Sequence, residues 1–196
     1  MKRWIACVVF WGLLGCAPAP PDSERAEFDA MAIDVVPPEA GAGDPDHALV
    51  VGEGWRIAGP GEDPFAPPMD PLTECESDSH REEYGGVEVD TGFCEYVSLV
   101  QPLRRAVVTG ETLRVVGWHS NLFAPELMPV SGRIALAIGP EIVWEQTVSI
   151  PADPATWDAR LQSPVDAAVG TLVTLRVQNH GANTWNILSF ETVPLP

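Results

Sequence analysis

The chain has 196 residues, of which 28 are acidic and 11 are basic, so its formal net charge is −17. Such a charge argues against a nucleic-acid-binding protein, because phosphate binding depends on clustered lysine and arginine side chains. It also argues against electrostatic adhesion to an anionic bilayer.

The first 15 residues have the layout of a secretory signal. Lys2 and Arg3 are followed by the apolar run 4–14 and then by the small residue Gly15. That order of a basic start, a short apolar core and a small residue is typical of a cleaved signal peptide. The apolar run is too short to cross a hydrocarbon layer of roughly 30 Å as a permanent helix.

The signal ends in Leu13-Leu14-Gly15-Cys16, which resembles the lipobox of bacterial lipoproteins, although alanine or serine is commoner at Leu14. The resemblance implies that Cys16 becomes the mature N-terminus and carries fatty acyl chains such as palmitate, which anchor the protein to a lipid bilayer. Ala17, where some members of the family have aspartate, favours the outer membrane of the cell envelope. The alternative is an ordinary secretory signal in which Cys16 is a bystander.

Residues 16–74 are predicted to form a disordered linker, because they hold more than half of the chain's 20 prolines and many acidic residues. Such a segment buries too little apolar area to offset its ordering entropy. An apolar island at 47–57, which contains Trp55, interrupts the linker. We expect the island either to dock as a short strand on the edge of the domain or to bind a partner.

Cys75 and Cys94 are the cysteines that remain outside the signal once Cys16 is acylated. In an oxidising compartment this even pair predicts a disulfide. Closing a loop of this length stabilises a fold by roughly 3 kcal/mol on the chain-entropy estimate. The loop between the two cysteines is acidic, and we expect it to be solvated. A Ca²⁺ site is the alternative, although the loop lacks the spacing of an EF-hand.

Residues 75–196 are predicted to form the folded domain, which is all-β. Runs rich in valine, isoleucine, leucine, threonine and tryptophan alternate with turn residues, and several runs show the period of two expected of half-buried strands. This rhythm predicts a two-sheet β-sandwich with one core. The predicted strands cover residues 95–101, 112–119, 133–138, 141–150, 156–162, 171–179 and 184–193.

The order of these strands resembles that of galactose-binding-like jelly rolls, which include many non-catalytic carbohydrate-binding modules. A strand led by Gly110 precedes a hairpin around Gly139, and a strand bearing Trp157 then precedes a second glycine-led strand at Gly170. The resemblance implies a jelly-roll sandwich that binds a glycan.

Aromatic, imidazole and amide side chains occur near the ends of two of the predicted strands. If both ends lie at one rim, these residues form a shallow sugar cleft, in which rings stack on pyranose faces and polar groups bind hydroxyls. The alternative is that the tryptophans pack in the core and the polar groups satisfy turn backbone. The candidate residues are Trp118, His119, Asn121, His180, Asn183 and Trp185.

His119 and His180 are also candidate ligands for a transition metal, but nothing in the sequence indicates a third ligand. The chain has no Gly-x-Ser-x-Gly elbow, no His-Glu-x-x-His and no phosphate-binding Gly-x-x-x-x-Gly-Lys loop. We therefore predict a non-catalytic protein without a metal or cofactor.

The sequence leaves three functional hypotheses. The first is an envelope lipoprotein whose sandwich binds a glycan. The second is a structural or protein-interaction subunit of an envelope complex. The third, and the weakest, is a metal-dependent hydrolase.

Overall fold

The computed structural model describes residues 46–65, 73–92, 94–124, 130–179 and 181–193. All regular secondary structure in these residues is β, and all of them belong to one compact unit, residues 36–196. The predicted signal 1–15 and the predicted acylation site Cys16 lie outside the described residues.

Ten strands form two five-stranded sheets, and every pair of neighbouring strands is antiparallel. The strands are β1 (Arg56–Ile57), β2 (His80–Glu83), β3 (Gly86–Asp90), β4 (Tyr96–Pro102), β5 (Thr112–His119), β6 (Val130–Ile138), β7 (Glu141–Ile150), β8 (Ala155–Gln162), β9 (Leu172–Gln178) and β10 (Thr184–Thr192). Sheet A has the order β2-β3-β10-β5-β8, and sheet B has the order β1-β4-β9-β6-β7.

The core lies between the two sheets and follows the alternation that the sequence predicts. In β9, Val173, Leu175 and Val177 are buried in the main core cluster, because successive side chains of a strand point to opposite faces. The face of each sheet that is turned away from this core is called its outer face below. The predicted all-β sandwich is confirmed.

The predicted disulfide between Cys75 and Cys94 is present. The loop that it closes is not the solvated acidic loop that we expected, because it contains the β2–β3 hairpin, which forms one edge of sheet A. Val87 and Val89 of β3 are buried in the core. Acidic residues alternate with these two valines, so the segment is amphipathic as a strand although its composition is polar.

The segment 46–65, which we assigned to the disordered linker, is packed on the sandwich. β1 pairs with β4 at the edge of sheet B, and Trp55 is buried in the core cluster, as docking of the apolar island on the domain edge requires. Leu49 and Phe65 are also buried. The folded domain therefore begins before Cys75, since three well-spaced apolar side chains hold this proline-rich segment in place.

Candidate functional site

The structure does not place the predicted sugar-cleft residues on one exposed rim. His119 and Trp185 are paired across β5 and β10, and both point into the space between the sheets. Their ring centroids are 5.3 Å apart, and the ring of His119 lies 6.1 Å from that of Trp157. Trp185 is 0% exposed. These rings are interior packing, which is the alternative that the sequence left open.

Burial also fixes the state of His119. Desolvation lowers the pKa of its imidazole, and the bond between its Nδ1 and the carbonyl oxygen of Ser120 opposes this only in part. A buried neutral imidazole that is hydrogen-bonded to backbone fits a structural role. His180, its predicted companion, lies outside the described residues.

Asn183 holds two loops together. Its Oδ1 accepts a hydrogen bond from the backbone N–H of Phe123 at 2.6 Å, and its Nδ2 donates to the carbonyl oxygen of Phe123 at 2.9 Å. Nδ2 also lies 3.1 Å from Oδ1 of Asn179. The side-chain amide of Asn183 is thus fully hydrogen-bonded within these loops. Asn121, in the loop after β5, is half-buried.

Trp118 differs from the other predicted site residues, because it lies on the outer face of sheet A. It is adjacent to His119 in β5 and therefore points the opposite way, and it is absent from the core cluster. The registers of the strands align Trp118 in one row across the whole sheet. This outer row consists of Arg81, Glu88, Asn186, Trp118 and Thr156.

The centre of the outer row contains polar atoms without partners in the described chain. Asn186 is 0% exposed, yet neither its Oδ1 nor its Nδ2 is hydrogen-bonded to a described residue. The indole N–H of Trp118, which is 8% exposed, has no partner there either. Leaving a buried donor or acceptor unpaired costs about 1–3 kcal/mol. In native proteins such groups mark strain, a bound water or a ligand.

Charged groups flank this centre on the β2–β3 side. Nη2 of Arg81 lies against the carboxyl groups of both Glu83 and Glu88. Burial, helped by a hydrogen bond with Glu83, nevertheless raises the pKa of Glu88 to about 8, and the charge of Arg81 opposes the rise. The same hydrogen bond lowers the pKa of Glu83. The pair therefore holds one proton at neutral pH, and that proton is on Glu88.

Ionisation of Glu88 is expected to make stability fall as the pH rises. Its pKa is raised from 4.5 to about 8, so unfolding releases a proton between these values, and stability falls by up to roughly 1.4 kcal/mol per pH unit. The contribution is complete below pH 4.5 and lost above pH 8. We expect Glu88→Gln to match the wild type near pH 4.5 and to be more stable at pH 8 in urea titrations. Glu82→Gln is the matched control, and identical pH slopes in wild type and Glu88→Gln would contradict the assignment.

A second set of charges lies on the β8 side of the outer face. Arg114 donates from Nε and Nη2 to both carboxylate oxygens of Asp158, each at 2.8 Å, and from Nη1 to Glu191 at 2.9 Å. Charges of both signs thus border the neutral pair Trp118 and Asn186.

The described residues contain no group of three or more histidine, cysteine, aspartate or glutamate side chains placed to hold a metal ion. A pocket beside the disulfide is lined by several carboxylates, among them Glu74, Glu76 and Asp90, but they do not converge as cation ligands. Within the described ranges, no helix is long and apolar enough to cross a membrane.

No protein-family model and no curated protein sequence matches the chain. Several solved structures resemble it in fold at low identity. A CBM4 structure is 14% identical, with a TM-score of 0.37, over 58% of this chain and 75% of that one. CBM28, described as specific for non-crystalline cellulose, is 11% identical, with a TM-score of 0.40, over 72% and 87%. A GH51 α-L-arabinofuranosidase is 7% identical, with a TM-score of 0.40, over 56% of this chain and 20% of that one. At such values the similarity says nothing about a ligand.

Proposed function

We propose that the protein is a non-catalytic, glycan-binding lipoprotein of the cell envelope. It is tethered to a bilayer, in our proposal the outer membrane, through acylated Cys16, and its sandwich binds glycan on the outer face of sheet A. The lipobox and the signal layout support the tether. The unpartnered amide of Asn186 beside Trp118 carries the proposal for the binding site.

The chemistry of this pair suits a sugar. The faces of tryptophan rings pack on the C–H face of a pyranose, and the indole N–H donates to a hydroxyl. The carboxamide of Asn186 offers one acceptor and two donors. Because Asn186 and Trp118 are both buried in the free protein, our proposal requires the Trp118 ring to move aside, so that neighbouring hydroxyls of one sugar satisfy both ends of the amide. A ligand that forms hydrogen bonds with these groups removes the free-energy cost of leaving them unpaired in the free protein. Thr156, at the β8 end of the outer row, is exposed and lies at the edge of the proposed binding site.

The binding site is tested with the mature chain on a glycan panel, followed by calorimetry with the best ligand. Trp118→Ala is expected to weaken binding at least about tenfold, since it removes the stacking surface and the N–H donor. Trp118→Phe keeps the ring and is expected to lose less. Trp144→Phe is the matched control for Trp118→Phe, because Trp144 lies on β7 of the other sheet. This control variant is expected to bind glycan as the wild type does. Absence of binding across a broad panel, or full affinity in Trp118→Ala, would overturn the proposal.

The tether is tested separately, by mass spectrometry of the protein from its native host. The expected first residue is Cys16 carrying acyl chains, and Cys16→Ser is expected to move the protein from the membrane fraction to the soluble fraction. Membrane fractionation then assigns the protein to the inner or outer membrane. An unprocessed N-terminus, or an unmodified Cys16, would refute the tether and leave the glycan site standing.

A further inference from the structure

The outer face of sheet B contains a buried arginine whose guanidinium group is only partly hydrogen-bonded. Arg176 of β9 lies between Ser98 of β4 and Ala135 of β6 in the sheet register, and it is 3% exposed. The segment that follows β1 crosses this face. From that segment, Asp63 accepts a hydrogen bond from Nη1 of Arg176 at 2.8 Å, and the same oxygen accepts one from the hydroxyl of Ser98.

Two aromatic rings contact the guanidinium group of Arg176. Its Cζ lies 5.0 Å from the centroid of the Tyr96 ring and 5.8 Å from that of Phe65. Phe65 is held in turn by Ala135 and Ala137, with which it forms a small apolar cluster. Cation–π contacts of this kind stabilise a guanidinium but leave its in-plane N–H groups free.

One edge of the Arg176 guanidinium has no partner in the part of the chain that the structure describes. Its Nε and Nη2 are both buried and make no hydrogen bond to a described residue. These two N–H groups form a fork that matches the two oxygens of a carboxylate. A buried charged group is normally hydrogen-bonded throughout, so this edge of the guanidinium is a candidate anion-binding group.

Arg133 adds a second guanidinium at the same place, although its Nη2 is already paired with the carboxylate of Glu145. Its Cζ lies 5.8 Å from the centroid of the Phe65 ring, and its Nε also has no partner among the described residues. Its side chain is 36% exposed, and Gln178, its neighbour in the sheet register, is half-buried. Three N–H groups without a partner among the described residues thus lie beside Phe65.

We propose that Arg176 and Arg133 form a binding site for the carboxylate of an acidic sugar. The carboxylate lies in the plane of the Arg176 guanidinium and accepts hydrogen bonds from its Nε and Nη2, while Arg133 contributes its Nε. The half-buried ring of Tyr96 offers the adjacent surface for the sugar ring, which favours a sugar acid over a peptide carboxylate. The site is on the opposite sheet from Trp118, so it stands independently of the function proposed above.

Calorimetry on the mature chain tests the site with galacturonate, galactose and an acidic peptide as probes. We expect galacturonate to bind, galactose not to bind at this site, and added salt to weaken the galacturonate complex. Arg176→Gln is expected to reduce the affinity at least about tenfold. Arg160→Gln, an exposed arginine of β8, is the matched control and is expected to change it less than about twofold.

Two further measurements guard against a variant that fails to fold. Arg133→Gln changes a partly exposed side chain and is expected to weaken galacturonate binding about threefold or more, with unchanged thermal unfolding. In the unmodified chain, galacturonate is expected to shift the side-chain Nε–H NMR signal of Arg176. Equal binding of galactose and galacturonate, no galacturonate binding, or an unshifted Arg176 signal would overturn the site. Tighter binding of the acidic peptide would overturn the sugar acid as its ligand.

Discussion

Replacing Trp185 with alanine is expected to lower the free energy of unfolding by about 3–5 kcal/mol, the range for removing a large buried ring. Trp185 is fully buried in the core cluster, and its ring spans the sandwich from sheet A to Gly132 of sheet B. Urea unfolding, followed by far-ultraviolet circular dichroism, measures the change. Trp118→Ala is the matched comparison and is expected to cost less, because Trp118 packs outside the core.

A double-mutant cycle tests whether the Trp185 ring occupies its interior place against Gly132. A Cβ on Gly132 would lie 2.5 Å from this ring, closer than side-chain atoms approach one another. Gly132→Ala alone is therefore expected to destabilise the fold, and the cost is expected to shrink when Trp185 is already alanine. Additive effects of the two substitutions, or a Trp185→Ala variant as stable as Trp118→Ala, would contradict the interior assignment.

The strands were predictable because their side chains alternate. The predicted ranges 112–119 and 141–150 coincide with β5 and β7, and the other five lie within a few residues of observed strands. The period of two is a local property, so the sequence alone reveals it. It does not reveal which face of a strand meets the core when both faces carry large side chains.

This limit explains the error at the predicted cleft. Trp118 and His119 are neighbours in one strand and therefore cannot point to the same face. The pairing of β5 with β10 shows that His119 and Trp185 both lie in the interior. The same register places Trp118 and Asn186 together on the outer face. The register of β10 also shifts between Ile187 and Ser189, so counting along the sequence does not predict the partners of its second half.

The docking of the apolar island 47–57 was one of the two alternatives that we expected, but the rest of 46–65 and the β2–β3 hairpin were missed for a different reason. Both are short or polar segments that are held by long-range contacts rather than by local preference. Trp55 enters the core and Phe65 covers Ala135 and Ala137, whereas the residues between them are typical of a linker. The composition of a segment does not reveal a few such buried side chains. It therefore indicates disorder even where these side chains hold the segment on the domain.

Asn186→Leu is expected to increase stability and to abolish glycan binding. The amide of Asn186 is fully buried without a partner among the described residues, so replacing it with an apolar side chain of similar size removes a cost of about 1–3 kcal/mol. The same change deletes the groups that we propose bind sugar hydroxyls. Urea unfolding and calorimetry with the best glycan of the panel measure the two effects.

Asn183→Leu is the matched control, because Asn183 is equally buried but fully engaged with Phe123 and Asn179. Its replacement is expected to destabilise the fold by about 1–3 kcal/mol, since it leaves the backbone groups of Phe123 unpaired. The two substitutions are thus expected to change the free energy of unfolding in opposite directions. That result would distinguish a buried amide that serves a ligand from one that serves the fold. A destabilised Asn186→Leu variant that still binds glycan would show that the Asn186 amide belongs to the fold, because a functional polar group is retained at the expense of stability.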